Sequence, residues 1–170
     1  NDFDKLFFNF LIIIKYNISF DYNRYIEKNI KIEIAHKMEN FKFKLKNRII
    51  ENLSFDDNIN LFTLYGLSIF FNLNLLFFKE NIYFKMFSHK SDNYYIVNDL
   101  KDIYSVKENR INKIIEDYYE ITDINKPIYS ITYYKVEELQ NISNQLNLIM
   151  NQKYKKKEIY DFIKNYLTNI

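Results

Sequence analysis

The 170-residue sequence predicts an α+β protein: a mostly helical domain with a small antiparallel β-meander over residues 1–122, then a helical module over residues 128–170. Three observations predict it. Apolar residues recur at steps of three and four through much of the chain, the pattern of helices with one buried face. Two runs rich in β-formers, Leu73–Lys79 and Ile82–Phe87, are separated only by Glu80-Asn81, the spacing of a hairpin. The one proline, Pro127, lies in the polar stretch Thr122–Ser130, where the residue before proline disfavours helix, so a first domain ends there.

Residues 3–14 form an apolar run that reads as a buried helix or a buried strand, because periodicity does not separate the two in so apolar a segment. Residues 22–53 read as one long helix with Ile34, Met38, Phe41, Leu45, Ile49 and Leu53 on one face. Inside it Phe41–Lys46 alternates with period two, as a strand would. Ser54–Asn58 reads as a turn, with Asp56-Asp57 at the N-terminus of the next helix, where negative charge is favoured. That helix runs to about Phe71 through Leu61, Leu64, Tyr65, Ser68 and Ile69. It contains the one glycine, Gly66, at a cost of about 1 kcal/mol relative to alanine, so close packing against a neighbour is expected there. The hairpin follows, then a third strand, Tyr94–Asn98, completing the meander, and a helix over 108–119 carrying Ile111, Ile114, Ile115 and Tyr118.

Composition narrows the function classes. Apolar residues make up 48% of the chain, too many for a disordered one. The formal charge is only +2, so no global basic field is present and any nucleic-acid contact must be local. Abundant Asn, Ile and Lys, with few Gly, Ala and Arg, are what AT-rich codons give. Cysteine is absent, which excludes disulfides and thiolate metal sites and fits a reducing, intracellular setting. His36 and His89 lie far apart and make no metal-ligand spacing. One glycine leaves no material for a phosphate-cradling loop, and adjacent carboxylates such as Glu116-Asp117 point away from one another on a helix. The chain is therefore expected to be non-enzymatic, with no metal and no cofactor. Leu6–Phe20 is interrupted by Asn9 and Lys15 and is too short for a membrane span. It also lacks the basic region and cleavage site of a secretory signal. The first residue is Asn, so a fragment or processed chain is expected.

After Pro127 two helical patterns appear. Val136, Leu139, Ile142 and Leu146 form one stripe; Ile159, Phe162, Ile163, Tyr166 and Leu167 form another. Between them Leu146–Tyr154 reads as extended, with Leu148 and Ile149 filling the gap. Lys153, Lys155, Lys156, Lys157 and Lys164 against Glu158 and Asp161 give residues 151–170 a net charge of +3, leaving −1 for the rest of the chain. Lysines at a helix start lie beside exposed backbone N–H groups, a ready phosphate site.

The segment YKVEELQNISNQLNL…KKKEIYDFIKNYL resembles the SAP motif, a helix–extended loop–helix DNA-binding module, and is similar to the related Rho N-terminal fold. Val136 and Leu139, then Leu146-Asn147-Leu148, then Lys156, Lys157, Ile159 and Ile163 match the motif. It departs at the loop, where Asn151-Gln152-Lys153-Tyr154 stands in place of a glycine and asparagine would take the left-handed conformation. The resemblance covers about a fifth of the chain. It implies a tether to double-stranded DNA through Tyr133, Lys135, Lys153, Tyr154, Lys155, Lys156, Lys157 and Lys164, with Tyr134 beside them. The longer segment KPIYSITYYKVEELQNISNQLNL is similar to C-terminal segments of uncharacterised proteins of large eukaryotic DNA viruses, which implies a viral factory, host nucleus, host cytoplasm or virion. Two alternatives stand beside it. One is a protein-interaction or scaffold domain whose C-terminal helices pack on the rest, without nucleic acid; a protein partner through residues 1–122 is a separate expectation. The other is an inactive relative of papain-like or OTU-type deubiquitinases, similar in the order helix then meander over residues 59–98.

Overall fold

The computed structural model describes residues 3–87, 92–149 and 154–168. The apolar run at the start is a helix, α1 (Lys5–Ile13), because Asp4 caps it: its carboxylate accepts the Phe7 amide at 3.0 Å. The expected long helix over 22–53 is instead two, α2 (Arg24–Met38) and α3 (Lys46–Phe55). Residues 39–45 are neither helix nor strand. The apolar stripe continues through them, but Phe41 and Phe43 turn aside to pack on each other and against Phe70 and Tyr65. Lys46 Nζ then closes the bend on the Glu39 carbonyl at 2.6 Å.

Helix α4 (Leu61–Phe70) is capped by Asn60, whose side chain accepts the Thr63 amide. This displaces Asp56-Asp57 from the role expected of them. Asp56 follows the end of α3 and accepts from Asn52 Nδ2 at 2.6 Å, and Asp57 pairs with Arg24. Buried Asn52 organises the connection, because its amide oxygen also accepts the Asn60 amide at 3.1 Å. Gly66 has the close neighbour expected of it: a Cβ built there would stand 2.1 Å from Ile49 Cδ1, and Ile49 is fully buried.

Strands β1 (Asn74–Lys79) and β2 (Ile82–Met86) form the expected hairpin, with positive φ at Glu80 (51°). Strand β3 (Tyr94–Asn98) is also where the pattern places it. The meander is not formed. The five strands make a mixed sheet in the order β4-β3-β1-β2-β5, so β3 lies beside β1 rather than β2. Two further strands complete the sheet. β4 (Asp102–Val106) pairs antiparallel with β3 across a turn in which Asp99 and Leu100 both have positive φ. Helix α5 (Glu108–Ile115) stops short of residue 119, and β5 (Tyr119–Ile121) pairs parallel with β2. The deubiquitinase-like pattern is left without the strand order it was read from.

The chain folds as two compact units. Unit 1 comprises Asn1–Phe77 and Met86–Glu108, and unit 2 comprises Phe78–Lys85 and Asn109–Ile170. The core of unit 1 is built from Phe7, Phe10, Ile34, Met38, Leu53, Leu64 and Leu75, all fully buried or nearly so. Unit 2 holds the hairpin tip, β5, a short 3-10 turn (Ile131–Tyr133), α6 (Val136–Gln145) and α7 (Lys156–Thr168). Its core is Leu139 and Ile142 from α6, with Leu146 at its end, against Ile159, Ile163 and Leu167 from α7. Val136 and Phe162, expected in these stripes, are 40% and 51% exposed, and Ile149, expected between the helices, is 98% exposed.

Candidate nucleic-acid interface

Both helices of unit 2 open with the same device. In α6 the carboxylate of Glu138 accepts the amide of Lys135 at 2.5 Å, and in α7 that of Glu158 accepts the amide of Lys155 at 2.6 Å. Each is half of a capping box, with lysine where a serine or threonine would complete it. The end of α6 is equally defined. Asn147 lies in the left-handed region (φ 54°), Leu148 N–H donates to the Ser143 carbonyl, and Asn147 N–H donates to that of Asn144. These are the bonds of a Schellman cap. The left-handed asparagine expected at 151 falls outside the described residues; the one that closes α6 is Asn147. Asn81 anchors this end, donating from Nδ2 to the Leu146 carbonyl at 3.0 Å and accepting from Asn147 Nδ2 at 3.0 Å.

Of the expected contact residues, Lys135, Lys155, Lys157 and Lys164 are exposed and Lys156 is half-buried. None of these five lysines makes an ion pair among the described residues. Lys153 lies outside the described residues. Tyr133 ends the 3-10 turn and is 68% exposed, whereas Tyr134 points inward and is buried. Half-buried Tyr154 stacks on Phe162 with ring centroids 5.9 Å apart.

The helix period divides these residues into two groups. At about 100° per residue, Lys157, Tyr160 and Lys164 share one edge of α7, while Phe162 lies about 160° from Tyr160 on the other side of the buried stripe. The Tyr160 hydroxyl donates to the Tyr129 carbonyl at 2.9 Å, which sets the Lys157–Lys164 edge beside a tyrosine cluster. Tyr129 and Tyr133 meet with centroids 4.8 Å apart, and Tyr133 meets Tyr134 edge-on at 5.2 Å. Burial pushes the Tyr119 hydroxyl up to about 12, with Tyr134 beside it as the next cause, and raises Tyr134 as well. Both shifts favour the neutral hydroxyl at Tyr119 and Tyr134. Tyr129 and Tyr160 were absent from the expected set. Tyr160 falls on the flank of the α7 stripe, and its spacing from Lys157 and Lys164 was the available signal.

Unit 1 holds a second set of charges that the sequence reading missed. Lys31, 2% exposed, pairs with Asp4 at 3.2 Å and with Glu27 at 3.1 Å, and donates to the Asp57 carbonyl at 2.6 Å. Asp4 also accepts the Ile59 amide, and Tyr22 donates to Glu27 at 3.0 Å; burial, then Glu27, raises the Tyr22 hydroxyl. A cleft of about 320 Å³ opens here, lined by Phe3, Arg24, Lys28 and Asp57 among others. Lys31 bridges both carboxylates and the Asp57 carbonyl, so the set reads as a pin between the start of α1, α2 and residues 57–59. The signal was the spacing Glu27, Lys31, Ile34, Met38, which sets two charges on the buried face of α2.

His36 is exposed and lies 3.0 Å from Glu39, and His89 is outside the described residues. Glu116 and Asp117 are exposed. Among the described residues no group of three or more His, Cys, Asp or Glu gathers to hold a metal, and no helix is long and apolar enough to cross a membrane. Comparison with protein-family models, with curated proteins and with solved structures finds no match to the chain.

Proposed function

We propose that the chain is a non-enzymatic DNA-binding protein, held to duplex DNA by the lysines at the start and along one edge of α7. The observation that carries this reading is that Lys155, Lys157 and Lys164, exposed and without an ion pair among the described residues, gather at the start and along one edge of α7. Lysines in the first turn of a helix face the positive end of its dipole, a placement that costs stability and that a bound phosphate reverses. With about three to five phosphate contacts and a slope near −0.9 per contact, binding is modest and salt-sensitive. Phosphate contacts of this kind position a protein without selecting sequence, which suits a tether.

The test is fluorescence anisotropy of the full chain with duplex DNA at low and moderate salt. Binding that weakens steeply with salt, and is lost when Lys155, Lys156 and Lys157 are all changed to Glu, supports the proposal. Absence of binding at low salt, or unchanged binding by the triple variant, sinks it. A protein-docking role is the second reading, favoured by the exposed Val136, Ile149 and Phe162. It predicts a protein partner whose affinity is insensitive to salt and falls on Phe162→Ala.

A further inference from the structure

Tyr129 and Tyr133 are the exposed pair of the tyrosine cluster, at 41% and 68%. A large aromatic ring left partly in water forgoes part of the burial that is its usual contribution to a fold. The backbones of the two are also held in place: the Tyr133 amide donates to the Ser130 carbonyl at 2.9 Å. The Tyr129 amide donates to the Tyr134 hydroxyl at 3.1 Å, and the Tyr129 carbonyl accepts from the Tyr160 hydroxyl at 2.9 Å. Both backbone polar groups of Tyr129 are thus fixed by tyrosines that are themselves anchored, one in the core and one on α7. Lys126 Nζ stands 5.3 Å from the centroid of the Tyr129 ring. Lys157 and Lys164 flank Tyr160 along the same helix edge. The nearby carboxylate of Glu138 is turned to the Lys135 amide.

Rigid exposed rings bordered by cations are the elements with which proteins hold single strands. Bases stack on the rings whatever their sequence, and the lysines track the phosphates. We propose that the Tyr129–Tyr133 pair is a stacking platform for unpaired bases, so that unit 2 holds DNA best where its strands are single or frayed. This rests on the reading of the α7 lysine edge as a phosphate contact and adds what the lysines cannot supply, a preference for unpaired over paired bases. A duplex buries its base faces and offers its phosphates and groove edges, on which a ring cannot stack.

The experiment compares binding of the full chain to an oligothymidine strand and to a duplex of equal length by anisotropy at two salt concentrations. The single strand is expected to bind more tightly. Tyr133→Ala is expected to weaken the single-strand complex about tenfold and leave the duplex complex unchanged, while Tyr133→Phe retains both. The chain has no tryptophan, so Tyr133→Trp adds a single emission that stacking quenches when the strand is added. Equal affinities for strand and duplex, with Tyr133→Ala silent and the Tyr133→Trp emission unquenched, overturn the platform and leave the DNA tether standing. No binding of either probe at low salt removes both.

Discussion

Three helices of this chain end in the same way with three residues that are not glycine. Lys15, Asn72 and Asn147 each take a positive φ, 54°, 56° and 54°. After each, a backbone amide reaches back to close the cap: Tyr16 to Leu11, Leu73 to Ser68 and Leu148 to Ser143. Asparagine tolerates this conformation better than lysine does. Lys15→Gly is therefore expected to stabilise the protein by about 1 kcal/mol and Asn147→Gly by a smaller amount, read from urea unfolding. The one glycine is placed for packing instead. Gly66→Ala is expected to destabilise by about 1 kcal/mol net, the strain of an added methyl against Ile49 exceeding the gain in helix propensity. Ile49→Val removes the offending Cδ1, so the double variant is expected to be more stable than the sum of the two single effects. An additive result would mean that Ile49 moves aside freely. The packing role of Gly66 was legible because a glycine inside an apolar helix has few other reasons to be there. The left-handed residues were not, since lysine and asparagine carry no such mark in a chain full of both.

The strands and most helices were legible from spacing, but their neighbours were not. Phe41 and Leu45 continue the stripe of α2 so well that a single helix was expected. Nothing in spacing shows that Phe41 packs on Phe70 rather than along the helix. Tyr94–Asn98 reads as a strand, but the choice of β1 over β2 as its partner is made by long-range packing. Three-residue β5 has too little sequence for any periodicity, and it forms because the Tyr119 amide reaches the Asn81 carbonyl at 2.8 Å. The candidate interface was legible in its lysines and only half legible in its tyrosines, because exposure of Tyr133 and burial of Tyr134 depend on a 3-10 turn. Element-scale reasoning also separates binding from stability. Lys157→Glu places a negative charge in the first turn of α7, so the fold is expected to gain about 0.5 kcal/mol while DNA affinity falls and the salt slope drops by about 0.9. Thermal unfolding and anisotropy on the same sample would check this, and a loss in both would show that Lys157 is structural.

At the scale of the whole molecule the buried and half-buried tyrosines set an alkaline limit. Tyr16 and Tyr119 are each pushed to about 12 from an ordinary value of 10, by burial first and then by Glu33 and Tyr134 respectively. Burial, with Glu27 and Glu120, moves Tyr22 and Tyr83 the same way. The folded state favours the neutral hydroxyl, so the contribution is complete below pH 10 and is lost as pH rises toward 12. Tyrosinate absorbance and far-UV circular dichroism should therefore change together in that window. Titration of all the tyrosines near pH 10 with the fold intact would contradict it.

Unit 2 is assembled from residues 78–85 and 109–170, two pieces that are not neighbours in the sequence. During synthesis the tip of the hairpin exists well before α6 and α7, and in that interval Phe78, Ile82 and Phe84, buried in the finished fold, lack the rest of their unit. A β-rich apolar segment waiting in that state is prone to pair with another nascent copy. Lys79, Glu80 and Lys85 are the charges that stand guard over it. A chain stopped after Ile121 should accordingly precipitate, visible as light scattering, and removal of those three charges should make it precipitate faster.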